Sequence, residues 1–274
     1  MTSERAGRVR IGAIFRPQLP PERLKAAVIA AEDAGLDELW LWEDCFLESG
    51  IAPAVAALAW TQRITLGIGL LPVPLRNVAI TAMELATVDR LFPSRFSFAL
   101  GHGIQDWMGQ VGARVESPLT LMREHVGALR PLLAGDEVSV EGRYVTLNKV
   151  ALGWPPHTPP RILMGATGPN TLRLSGEIAD GVVLDEAQSP QGVRAALELV
   201  AEGRAVGVRS GTFEVVKYVP ALARDAQAVA DVLAEYVDAG ATTVVLQPPA
   251  GEQDIEGYFA FTGVVAARLR AATG

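Results

Sequence analysis

Eight times along its 274 residues the chain passes from a short run rich in β-branched and aromatic residues into a longer run with apolar residues every three to four positions. Strict strand and helix alternation implies parallel strands joined by right-handed crossovers, and eight repeats suffice to close a barrel with no exposed edge. The expected fold is therefore a single (β/α)₈ barrel. An open doubly wound sheet is the alternative.

The first strand is Val9 to Phe15, and Leu24, Ala27, Val28 and Ala31 then mark one face of a helix that stops at Gly35. Strand two is Glu38 to Trp42, with a loop through Gly50 and a helix Ala52 to Trp60. Strand three, Ile64 to Leu70, precedes a helix Val78 to Leu91 that starts behind Asn77, a natural N-cap, and ends at Pro93. Strand four is Arg95 to Leu100. A long loop, GHGIQDWMGQVGARVE, then reaches a helix Leu119 to Leu133, where Ser117-Pro118 supplies a cap and a proline at the first helical position.

Residues 136–150 predict a small hairpin outside the main rhythm, turning at Glu141-Gly142. Strand five is Arg161 to Met164, with a helix from Pro169 or Asn170. Strand six is Gly181 to Leu184, with a helix Pro190 to Ala205. Strand seven is Thr212 to Val219, with a helix Asp225 to Asp238, and strand eight, Thr242 to Leu246, precedes the helix Ile255 to Ala272. No composition shift divides the chain, so residues 1–274 are expected to form one domain.

A composition of 49% hydrophobic and 20% charged residues supports a large core. The net charge of -7, with no stripe of Lys and Arg, argues against a nucleic-acid surface. Uncharged stretches stop well short of the roughly 18 residues of a membrane span, and no secretory pattern stands at the start, so a cytoplasmic protein is expected. The lone Cys45 excludes an internal disulfide. The three histidines are too scattered for a zinc motif, and no metal is expected.

Barrel enzymes work at the C-terminal ends of their strands. Asp44 and Glu43 follow strand two, where partly desolvated carboxylates suit proton transfer or hold a loop. Gly101-His102-Gly103 follows strand four, and its histidine either contacts a ligand or serves as a hydrogen-bonded rim residue. Gly165-Ala166-Thr167-Gly168 opens a helix directly after strand five, an arrangement that lets backbone N–H groups and the helix dipole meet a phosphate or else forms an ordinary tight turn. Arg76 after strand three is a further candidate for a phosphate or carboxylate. Trp40, Trp42 and Trp107 either stack on a ring at the mouth or fill the barrel.

Three stretches, ELWLWEDCF, ITLGIGLLPVPLRNVAITAMELATVDRLFPSRFSFALGHG and PPRILMGATGPNTLRLSGEIADGVVL, together resemble the luciferase-like monooxygenase superfamily. Within it they are most similar to the coenzyme F420-dependent branch that includes methylenetetrahydromethanopterin reductase. The resemblance implies a cis peptide at Gly69-Leu70 against the central cofactor ring, phosphate near GATGPN and GHG, and an acid at Asp44. It thus assigns Asp44, Gly69, Leu70, Gly101, His102, Gly103, Gly165, Ala166, Thr167 and Gly168 to the cofactor and Asp44 to catalysis, with His102 and Glu43 as further catalytic candidates from their places at the strand ends. The chain departs from the pattern at Cys45, where many F420-dependent members carry histidine, and it is compact after strand seven, which implies an open, shallow substrate site. The implied activity is hydride transfer between the deazaflavin and a small organic substrate. An FMN-dependent monooxygenase is the alternative, and a non-catalytic flavin-binding barrel a third. Family members are commonly homodimers, and a homodimer is the expectation for this chain.

Overall fold

A computed structural model describes residues 8–207, 211–221 and 225–273. The chain runs β1 (Arg10–Phe15), α1 (Leu24–Asp33), β2 (Glu38–Leu41), α2 (Ile51–Trp60), β3 (Thr65–Pro72), α3 (Val78–Leu91), β4 (Phe96–Gly101), α4 (Gln105–Gln110) and α5 (Pro118–Ala134). It continues through β5 (Val138–Glu141), β6 (Thr146–Val150), β7 (Leu163–Gly165), α6 (Pro169–Ile178), β8 (Gly181–Leu184), α7 (Pro190–Val206), β9 (Glu214–Pro220), α8 (Ala226–Asp238), β10 (Thr243–Gln247) and α9 (Ile255–Thr273).

Eight strands pair in parallel and close in the order β1, β10, β9, β8, β7, β4, β3, β2. Because β1 pairs with both β10 and β2, the sheet has no edge and the open doubly wound alternative fails. The expected hairpin is β5 and β6, antiparallel and outside the barrel. Two details differ from expectation. β3 runs on to Pro72, with a register shift between Gly69 and Leu71, and α4 forms inside the long loop after β4. The compact connection expected after β9 includes residues 222–224, which lie outside the described residues.

Strand parity sorts the interior from the helix layer. Ile14, Trp40, Ala99, Leu163, Val183, Val216, Tyr218 and Val245 pack together inside the barrel, while Leu39, Leu41, Val215 and Val219 face the helices. Trp40 is fully buried, and its indole N–H donates to Glu38 Oε2 at 2.7 Å. A side chain at Gly67 would meet the Trp40 ring at 2.4 Å, so this glycine makes room for it. Glu38 also pairs with Arg10 at 3.1 Å near the N-terminal ends of the strands, leaving the opposite end for ligands.

The two expected N-caps form: Asn77 Oδ1 accepts from the Ala79 N–H at 2.9 Å and Ser117 Oγ accepts from Thr120. In addition, Gly135 ends α5 in the left-handed region at φ 90°. Among the described residues, no helix is long and apolar enough to cross a membrane.

Candidate functional site

The two carboxylates after β2 have different surroundings. Glu43 Oε2 accepts from Arg76 at 2.6 Å and from the Gly50 N–H, while Arg76 also donates to Glu84 at 2.8 Å. Both members of the Glu43–Arg76 pair are mostly shielded, so this network fixes the β2–α2 loop to the segment before α3. Arg76 is thereby committed to protein carboxylates rather than free for a phosphate. Asp44 is half-buried, and desolvation raises its carboxyl above the usual range while the Arg16 guanidinium pulls it back down.

Arg16, at the end of β1, donates to the Pro248 carbonyl at 3.1 Å and lies over the Trp42 ring at 5.5 Å. The Trp42 ring in turn approaches Tyr218 at 6.1 Å between centroids. Trp42 Nε1 and the Tyr218 hydroxyl are buried, and neither has a hydrogen-bond partner of normal geometry. Burial pushes the Tyr218 phenol far up, so it stays protonated and able to donate. Of the two tryptophans on strand two, Trp40 fills the barrel and Trp42 reaches its mouth.

Tyr218 reaches across to Gly69, where an added Cβ would fall 2.0 Å from the hydroxyl oxygen. The Gly69-Leu70 bond is cis, as expected, and Cys45-Phe46 is cis as well. The Leu70 side chain leans over β4 and β7 and fills the space a Cβ would take at Gly101 and at Gly165, 2.3 Å away in each case. Their smallness therefore seats Leu70. Gly168 differs, since nothing lies within 4 Å of its Cβ position and its φ of -83° suits any residue.

His102 joins the two glycine-rich turns. Its Nε2 lies 3.1 Å from Thr171 Oγ1 in the first turn of α6, and its Nδ1 is buried without a partner. Burial lowers the imidazole pKa, so the ring is neutral near pH 7. Gly103 follows at φ 66°, a conformation that favours glycine. Helix α6 has no side-chain cap, and Gly168 leaves its first N–H groups approachable. An uncapped helix start, an orphaned ring nitrogen and open space at Gly168 fit the phosphate of a flavin-type cofactor. Thr167 is exposed beside them, and Ala166 is buried.

The sequence brought Asp44, Gly69, Leu70 and the two turns to one rim, and the structure gathers them there. Arg16 and Tyr218 were missed, because each acts from one strand end on another, Arg16 on Trp42 and Asp44 and Tyr218 on Trp42 and Gly69. Parity offered a signal for Tyr218, an inward aromatic near the C-terminal end of a strand. Cys45 is half-buried, and burial with the neighbouring Glu43 and Asp44 charges pushes its thiol up, away from thiolate chemistry.

The closed parallel barrel is of the kind that carries its ligand site at the C-terminal ends of its strands, where Asp44, His102 and the start of α6 lie. A family described as luciferase-like monooxygenase matches residues 7–263, and the chain belongs to that family. It is 29% identical over 91% of its length to 5,10-methylenetetrahydromethanopterin reductase of Methanolobus tindarius, covering 78% of that protein. It is also 29% identical to the F420-dependent glucose-6-phosphate dehydrogenase of Nakamurella multipartita, over 63% of this chain and 55% of that one. Among solved structures, an F420-dependent secondary alcohol dehydrogenase in complex with an F420-acetone adduct superposes with a TM-score of 0.86 at 19% identity, covering 96% of this chain and 99% of that one.

Proposed function

We propose that this chain is an F420-dependent oxidoreductase that moves a hydride between the deazaflavin and a small organic substrate. The observation that carries this reading is the continuous rim of Asp44, Gly69-Leu70, His102 and the open α6 start, in a chain whose similar proteins include F420-dependent enzymes. When bound, the deazaflavin supplies a two-electron hydride carrier that reacts poorly with oxygen.

The residues divide the remaining work. The backbone at Thr167 and Gly168, the first turn of α6, and His102 hold the phosphate. Leu70, seated on Gly101 and Gly165, presents the end of β3 to the ring. Asp44 holds the proton exchanged with substrate, since its raised carboxyl titrates closer to neutrality than an exposed aspartate. Arg16 orients that carboxyl. Glu43 serves as a positioning residue for the same loop, because Arg76 and Gly50 already occupy its carboxylate.

The family description also admits an FMN-dependent monooxygenase. Anaerobic turnover of F420 beside oxygen uptake with reduced FMN separates the two. The proposed reading expects the first without the second, and the reverse result would replace it with the monooxygenase. We place the protein in the cytoplasm as a homodimer, with residues 1–274 as one folding unit. Support for the dimer comes from α3, whose outward face exposes Ile80, Met83 and Leu91.

A further inference from the structure

A groove of about 700 Å³ lies beside the rim, between the loop after β1 and the start of α2. Its walls are apolar, with Leu19, Leu24, Leu47, Ala56 and Trp60 among them, and its volume lies within the ordinary range of small-molecule sites. One ionisable side chain, Glu48, lines it, and Glu48 Oε1 is buried without a hydrogen-bond partner. No Lys or Arg is among the described residues that line the groove. Burial, and after it the like charge of Glu22, raises the Glu48 carboxyl from its usual range to about 7. The neighbouring cation, Lys25, stands 5.8 Å over the Trp60 ring instead. Glu48 as a whole is only half-buried, so a positive donor in the groove meets its carboxylate there and stabilises the charged form.

We infer that this groove is a second ligand site, which binds an apolar primary ammonium compound with its chain along Leu19, Leu47 and Trp60 and its charged head on Glu48. Negative charge from Glu48 and Glu22 selects a cation, and the apolar walls select an alkyl or aryl body. The site requires no cofactor, so its test is independent of the hydride-transfer reading.

Calorimetry near pH 8 on the protein without cofactor, using n-octylammonium, 1-octanol and octanoate below their aggregation limits, provides the test. The wild-type chain should bind n-octylammonium at least about 10-fold more tightly than 1-octanol and should not bind octanoate. Glu48→Gln should erase that preference, and Ala52→Trp, which fills the groove from an exposed position, should abolish binding of the ammonium compound. Circular dichroism on both variants checks that they are folded. Equal affinity for the alcohol and the ammonium compound, a preference that survives Glu48→Gln, binding that persists in folded Ala52→Trp, or no binding to wild type would each overturn the assignment.

Discussion

Asp44 and Glu43 are adjacent carboxylates with opposite fates, one tied into an ion-pair network and the other left at the mouth with a raised pKa. Asp44→Asn keeps the shape and removes the proton, so turnover should fall by roughly 100-fold or more, with cofactor affinity changed far less. Cys45→Ala should be mild. Steady-state kinetics with cofactor titrations would show the order, and an active Asp44→Asn beside a dead Cys45→Ala would assign the chemistry to the thiol. Glu48 gives a stability test with a definite sign. Its folded pKa is raised from 4.5 to about 7, so its contribution to stability is fully present below about pH 4.5 and is lost as pH rises through about 7. Melting curves should therefore show Glu48→Gln gaining on wild type between about pH 5 and about pH 8, and a pH-independent difference would refute the shift.

At the level of elements, the site depends on how the ends of β3, β4 and β7 meet α6. Gly168→Val adds bulk where nothing lies within 4 Å and at a backbone angle that tolerates it, so the fold should survive while the phosphate is blocked. Cofactor affinity should drop by about 10-fold or more, equivalent to roughly 1.4 kcal/mol, at an unchanged melting temperature. Unchanged affinity would return this turn to a purely structural role. Strand positions were legible to within a residue or two because strands buried on both faces stand out as short β-branched and aromatic runs, and Asn77 and Ser117 marked helix starts by their side-chain chemistry. The six residues of α4 were not, since they are too few to show a 3.6-residue period and begin behind Ile104, which offers no cap. The extension of β3 to Pro72 follows its pairing with β4 beyond the register shift, a nonlocal cause. Arg76 reads locally as a free cation at a strand end. Only the pairing of β2 with β3, a nonlocal contact, brings it to Glu43, 33 residues away.

For the whole molecule, closure of the sheet places Arg16, Trp42 and Tyr218, from three different strand ends, around one mouth. The same closure turns α3 outward with an apolar stripe that a second copy would cover. Light scattering should give twice the chain mass for the wild type, and Met83→Glu, which puts a charge on that stripe, should shift it toward the monomer. A monomeric wild-type protein would remove the dimer proposal. The central claim is the identity of the cofactor, and its most direct test is the pair of dissociation constants for F420 and FMN, measured on the purified chain under identical conditions. The account predicts F420 bound at least about 10-fold more tightly than FMN. Comparable weak binding of both, or tighter binding of FMN, would contradict it.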